Sequence, residues 1–502
     1  MVIILRIILR YSIMPKFLSI IFFICFSFSS MASHVMGGDL TWSCDGSGNY
    51  VFELVFYRDC NGAEVNIIAE QLRVWNHPTL TTIQMPFVSR EDISPSCSPV
   101  AGSPPMLLCG TGSAGGNGIG AIEKVIYRSA SISISGTPPV QGWVFTYENF
   151  SRSQTLSNIT NPASYGMTLA AKMYAIPGGG SGCVDSSPTF LQEPSFVSCN
   201  GEPYAYNMNA VDPDLDSLYI DFDIPYDHFP AQTTYDPPNS PQPVPFEPGF
   251  SFSSPTPDAS LSPLSIPAQI NNANGELTFL STMSGNFNVK VLVKSFRQGV
   301  LIAEVEREMQ LVVLPCAGNN QPPVINAPFS GNSFDTIIEA GALVDFTLTA
   351  NDFDLLQDGS VQTLSLTASG PMFGAGFVSS TGCNITPCAT LNSNLPVSGQ
   401  QTVGVDFSWQ TTCNHLVNQY GVVADMIPYT FVFKVQDDYC QVPKVSYATV
   451  TINVLNPGVI PATKITCIQT DATDQITINW NEVTDPFGTF AGYELHSISG
   501  GL

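Results

Sequence analysis

Basic residues and histidines are scarce in this chain. Seventeen Lys and Arg stand against 41 Asp and Glu, with five His among 502 residues. So few cations exclude a surface that tracks phosphate backbones, because such binding runs on Lys and Arg. His34, His77, His228, His415 and His496 have no mutual spacing that assembles a metal cluster or a His-based catalytic group. No CxxC pair occurs, and the tightest cysteine spacing is Cys383-x4-Cys388, which argues against zinc. G-x-S-x-G, H-E-x-x-H, a P-loop and a dinucleotide fingerprint are all missing. After residue 28 no apolar run approaches the roughly 20 residues that span a bilayer, and no amphipathic helix exceeds two turns. The chain therefore reads as a non-enzyme. Glycoside hydrolysis needs only two placed carboxylates, and sequence cannot locate such a pair.

What is present begins with a leader. Arg6, Arg10 and Lys16 precede an apolar run from Phe17 to Phe28, and Ser30-Met31-Ala32 offers small residues for cleavage. That is the pattern of a secretory signal over residues 1–32, with Met1 or Met14 as the start. Ile24 ahead of Cys25 argues against a lipoprotein site. Cleavage leaves 14 basic residues against 41 acidic ones, a net charge of −27, and twelve cysteines. An even set of cysteines in a secreted chain implies disulfides. At 44% hydrophobic residues with 31 Phe, the composition supplies core material that a disordered acidic chain lacks.

The texture is β throughout. Tyr50–Tyr57, Ala130–Ser135, Val289–Val293, Tyr429–Val435 and Thr449–Val454 are short alternating or apolar runs between Gly, Pro, Asn and Asp clusters, as in β-sandwiches. An internal repeat stands out. Ala210-Val-Asp-Pro-Asp-Leu-Asp returns 140 residues later as Ala350-Asn-Asp-Phe-Asp-Leu-Leu, and Val291–Lys294 matches Phe431–Lys434 at the same offset. Each copy ends on a β run and a proline, Pro315 and Pro457. Tandem domains follow, with linkers near Pro177, Gly318 and Asn456. The expected division is 33–178 for an N-terminal β domain, 179–317 and 318–457 for two immunoglobulin-like sandwiches, and 458–502 for a partial further domain. The proline-rich stretch Asp236–Pro263 reads as a long exposed loop, because proline withholds ladder donors.

Ser33-His-Val-Met-Gly-Gly, then Tyr57-Arg58-Asp59-Cys60, Gly142-Trp143 and Tyr147-Glu-Asn-Phe-Ser-Arg-Ser153 together resemble the mature N-terminus of gliding-motility-associated, adhesin-like surface proteins of Bacteroidota. The resemblance covers about the first third of the chain. It implies a surface protein, exported by the type IX system through a C-terminal signal that this chain does not contain. The repeat unit is similar to cadherin-like or other immunoglobulin-like sandwiches, in which an A-x-D-x-D motif ends an early strand. Lys464–Cys467, Gln475–Val483 and Phe490–Leu495 look like strands A to C of a fibronectin type III domain, with Trp480 and Tyr493 at its core aromatic positions.

Carboxylates two residues apart can share one Ca²⁺, which wants about six to eight oxygens. Asp352, Asp354 and Asp358, joined by Asp437 and Asp438 after the penultimate strand, make the second copy the better calcium candidate. The first copy offers Asp212, Asp214 and Asp216, but Arg297 and Gln298 stand where the second copy has its Asp pair. Asx-turns and solvated carboxylates are the competing reading of both groups. For disulfides, Cys413 with Cys440, Cys383 with Cys388, and Cys183 with Cys199 are the expected pairs, leaving Cys316 and Cys467 without assigned partners. Trp42, Trp75, Trp143 and Trp409 are candidates for a sugar-stacking platform, although core packing is the commoner fate of a strand Trp. The expected function is a secreted or cell-surface protein that holds β modules in series, structural and adhesive, toward an unidentified glycan, protein or surface. The alternative is a carbohydrate-binding accessory protein or the non-catalytic part of a larger hydrolase.

Overall fold

The computed structural model describes residues 35–62, 64–110, 115–178, 182–230, 233–316, 318, 320–417, 422–458, 463–471, 473, 475–482 and 492–493. The signal segment lies outside them. The fold is all-β. Seven strands come first: β1 (Val35–Cys44), β2 (Tyr50–Asp59), β3 (Ala69–Trp75), β4 (Thr82–Asp92), β5 (Ile122–Arg128), β6 (Trp143–Asn149) and β7 (Met167–Met173). They pair in the order β1-β2-β5-β4-β3-β6-β7. Every pairing is antiparallel, so the first and last strands of the seven run the same way. An antiparallel ring needs an even number of strands, so these seven cannot close on themselves.

The eighth strand comes from further along the chain. The first repeat copy contains β8 (Thr189–Phe190), β9 (Val197–Cys199), β10 (Pro203–Asn207), β11 (Ala210–Val211), β12 (Ser217–Phe222), β13 (Ile266–Ile270), β14 (Glu276–Leu280), β15 (Gly285–Arg297) and β16 (Val300–Leu314). One edge of β16 pairs with β15 over its length. The other edge is shared by β7, β1 and, in parallel, β9. By pairing one edge first with β7 and then with β1, β16 bridges the two end strands and completes a ring of antiparallel pairings, a barrel. Trp42, Phe52 and Phe145 fill its interior, the two Phe ring centroids 4.5 Å apart. The seam expected at residues 178–179 therefore falls inside one sheet. A single apolar core runs from Leu40 in the barrel to Tyr206, Leu277 and Val291 in the first copy.

The two copies share a topology. In the first, β14 joins β10 to β13 and faces the β12-β15-β16 sheet. The second has β17 (Val324–Asn326), β18 (Asp335–Glu339), β19 (Leu343–Asn351), β20 (Thr363–Ser369), β21 (Thr390–Leu391), β22 (Val397–Gln400), β23 (Thr402–Gln410), β24 (Met426–Gln436) and β25 (Val445–Leu455). There β23 joins β19 to β21, opposite the β18-β25-β24-β20-β22 sheet. A parallel strand on the last strand's edge, β9 on β16 and β18 on β25, completes the match. Phe407, Trp409, Phe431 and Phe433 pack between the sheets of this immunoglobulin-like sandwich. Beyond it, β26 (Ile465–Thr470) and β27 (Ile476–Trp480) form a two-stranded ribbon, and the Trp480 ring meets Tyr493 at 5.1 Å. The rest of the expected third strand lies outside the described residues.

The proline-rich segment is not a free loop. Between β12 and β13 the chain is a strap laid across the barrel and the β15-β16 sheet, with Phe229, Val244 and Thr256 buried. Proline lacks a donor but keeps its carbonyl. Pro245 O accepts from the Thr160 N–H at 2.9 Å, and Pro255 O accepts from the Asn158 amide at 2.8 Å. That is how a segment poor in ladder donors docks.

Candidate functional site

The first-copy aspartates sit in the turn between β11 and β12. Asp212 accepts the Asp214 N–H at 2.8 Å and the Ser295 hydroxyl at 2.6 Å. Arg297, at the end of β15, reaches both carboxylate oxygens of Asp216 and donates to Asp185 at 2.6 Å. Asp214 accepts the Ser186 N–H at 2.6 Å. Four carboxylates thus surround one guanidinium. Burial, reinforced by Asp212 and opposed by Arg297, pushes Asp185 up to about 8, and burial pushes Asp212 up to about 7. The guanidinium takes the place a metal ion would need. Asp185 lies far from the motif in sequence, so spacing alone does not reveal it.

In the second copy Asp352 and Asp437 come together with two amides that sequence spacing does not mark, Asn320 and Gln362. Asp437 accepts from the Asn320 amide at 2.6 Å and from the N–H groups of Tyr439 and Lys444 at 3.0 and 2.9 Å. Gln362 donates to Asn320 Oδ1. Burial pushes Asp437 up to about 7, with Asp352 adding to the rise. Asp354 accepts the Gln321 N–H at 2.7 Å at the rim. Asp438 and Asp358 are engaged elsewhere, by the Thr363 N–H at 2.9 Å and by Ser360 in an exposed turn. Two buried oxygens here, Asp352 Oδ2 and Gln362 Oε1, have no hydrogen-bond partner. Two fall well short of the about six to eight that Ca²⁺ takes. Among the described residues no group of three or more His, Cys, Asp and Glu is placed to hold a metal ion.

Five disulfides are formed among the described residues. Cys383 bonds Cys388. Cys440 bonds Cys97 rather than Cys413, and Cys183 bonds Cys44 while Cys199 bonds Cys316, in place of the expected Cys183–Cys199 pair. Cys60–Cys109 is the fifth. Cys413 and Cys467 are free and exposed. The expected pairs assumed self-contained domains. The N-terminal region is woven into the first copy, and its 93–109 loop reaches the second, where Asp438 O accepts the Ser98 N–H at 2.9 Å. Three of the four candidate stacking Trp, Trp42, Trp143 and Trp409, are buried in the cores, and Trp75 is half-buried against Phe229.

A second buried polar group carries its own signal in the sequence. β16 carries Glu304, Glu306 and Glu308 at alternate positions within a mostly apolar strand, so all three share one face, the one toward the strap. Each meets a cation: Lys172 with Glu304 at 2.8 Å, Lys290 with Glu306 at 2.8 Å, and Arg152 with Glu308. On the opposite face Arg307 pairs with Asp39 of β1 at 2.7 Å.

No family model and no curated protein matches the chain. Among solved structures, domains 1–6 of the surface layer protein SbsC are similar at 10% identity over 89% of this chain, with a TM-score of 0.14. The S-layer protein rSbsC(31-844) follows at 9% over 89% and 0.14, and the N-terminal four Ig domains of Dscam1 isoform 4.4 at 10% over 84% and 0.11. The chain spans 58% and 57% of the two surface-layer chains and 94% of the Dscam1 one. No helix among the described residues is long and apolar enough to cross a membrane.

Proposed function

We propose that this protein is an exported structural and adhesive component of the cell surface, acting in gliding or attachment. The observation that carries the reading is the covalent weave. Two of the five disulfides fasten the barrel to the repeat copies: Cys44–Cys183 to the first, and Cys97–Cys440, spanning 343 residues, to the second. Such bonds persist where the surroundings are oxidising. Bridges that tie successive β modules together suit a chain that transmits force rather than one that opens around a substrate. The N-terminal motifs that resemble gliding-associated surface proteins support the same reading, as does the acidic, soluble exterior.

Calcium enters this proposal only at the second copy, through Asp352 Oδ2 and Gln362 Oε1. Thermal unfolding of the whole chain in millimolar Ca²⁺ and in chelator tests it, since a ligand of the native state raises the midpoint. Equal midpoints remove calcium from the reading. The surface role is tested by protease shaving of intact cells and by adhesion of a deletion strain. Peptides of residues 35–455 released from intact cells, together with lost adhesion, support it. Protection from protease while the envelope is intact overturns it.

A further inference from the structure

The geometry points to an intramolecular amide bond between the side chains of Lys290 and Asp223, formed after folding with Glu306 as the proton carrier. Lys290 lies on β15 with its side chain fully buried beneath the strap. Asp223 continues β12 directly alongside, its N–H bonded to the Lys290 carbonyl at 2.9 Å. The two side chains are therefore cross-strand neighbours on one face. Lys290 Nζ stands 3.7 Å from Asp223 Oδ2 and 2.8 Å from Glu306 Oε2. The Tyr226 ring covers Nζ at 5.1 Å. The amine is paired with Glu306 and lies beside the Asp223 carboxyl.

Their roles differ by placement. Glu306 is fixed, since its Oε2 also accepts the Ala170 N–H at 2.8 Å, and burial pushes its carboxyl up to about 7. A carboxyl poised near neutrality can take and return a proton. Asp223 lies at a strand end and is partly open to water, through which the leaving oxygen departs. In the reaction the Lys290 ammonium gives one proton to Glu306. The amine lone pair then attacks Asp223 Cγ, the new C–N bond forms, and the nitrogen sheds a second proton. One Asp223 C–O bond breaks, and that oxygen leaves as water with the two protons, returning Glu306 to its starting state. The ammonium's positive charge and the carboxylate's negative charge disappear together, so the step balances without oxidant or cofactor.

Two physical effects drive a reaction that is unfavourable between free groups in water. The fold holds amine and carboxyl together at a very high effective concentration, on the order of 10⁵ M or more when well oriented. It also replaces a buried ion pair, which carries a large desolvation penalty, by a neutral amide. The second copy is an internal control. At the matching register Thr430 of β24 faces Thr451 of β25, so it has neither amine nor carboxyl there.

The test is mass spectrometry on the full chain, reduced and alkylated so that disulfides do not contribute. The expected result is a chain one water lighter than its sequence, with a branched peptide joining the Lys290 and Asp223 segments after digestion. Glu306→Gln should restore the full mass and release both segments as linear peptides, while Glu304→Gln should leave the bond in place. An unmodified wild-type mass with Lys290 in an ordinary linear peptide overturns the proposal, as does a branch joining Lys290 to Glu306. Persistence of the branch in Glu306→Gln overturns the proton-carrier role.

Discussion

Gly37 of β1 lies directly opposite Met309 of β16, and a side chain at Gly37 would collide with the strand it faces. Its φ is +137°, and a Cβ built there would come within 1.9 Å of the Glu308 carbonyl oxygen. The glycine of the His-Val-Met-Gly-Gly motif therefore permits the eighth strand to close the barrel. We expect Gly37→Ala to cost about 3–5 kcal/mol, combining backbone strain with overpacking. Chemical denaturation of the two proteins measures it, and a loss below 1 kcal/mol would show that the seam tolerates a side chain.

The same seam makes a prediction about fragments. Residues 35–178 expressed alone leave β1 and β7 without their shared neighbour, exposing two strand edges that invite aggregation. Residues 35–316 include β16 and should be monomeric and cooperative in unfolding. Size-exclusion chromatography and circular dichroism of both fragments decide the matter. A well-folded monomer of the shorter one contradicts the closure.

Arg307 and Asp39 pair across that seam with both side chains buried. Burial raises the Asp39 pKa despite the adjacent guanidinium, so the pair is not a simple source of stability. Removing one partner strands the other charge. Arg307→Ala should destabilise by about 3–5 kcal/mol, and Arg307→Ala combined with Asp39→Ala by less than the single change. A double-mutant cycle in urea reads this directly.

The first-copy cluster predicts a pH slope. Asp212, facing Asp185, Asp214, Asp216 and Arg297, has its folded pKa raised to about 7 by burial. A raised folded pKa means the native state holds its proton more tightly than the unfolded chain. That stabilisation is complete below about pH 4 and is lost as pH rises through about 7. Each such proton contributes a slope of up to about 1.4 kcal/mol per pH unit. Asp212→Asn keeps the Ser295 hydroxyl bonded but cannot titrate. Its stability curve should be flatter between pH 5 and 8 than that of the parent, and parallel curves would reject the assignment.

The long bridge has a mechanical signature. Removing Cys97–Cys440 by Cys97→Ser and Cys440→Ser together should cost about 2–4 kcal/mol, because the other bridges already shorten the loop it closes. The second copy should then unfold separately from the barrel, giving two calorimetric transitions where the parent gives one.

Composition and pattern by themselves determined the all-β class and the matching strands of the two copies. Alternation decides which strand faces are apolar, and the 140-residue offset correctly aligned β15 with β24. The Asp-x-Asp turns, too, were visible as turns. The partners of those turns were not. Asp185 beside Arg297, and Asn320 and Gln362 beside Asp437, are brought in from distant segments that no local spacing marks. The 178–179 seam is a similar case, with strands on both sides of it in one sheet. Glycine and proline at 177–182 have the composition of a linker, but whether a sheet ends there depends on which edges remain unpaired. Seven antiparallel strands leave two edges running the same way, and only a strand from the next repeat satisfies both. Cysteine pairing inherits that topology: a bond forms where Cα atoms come within about 4.4–6.8 Å, and the fold alone sets Cys97 5.1 Å from Cys440.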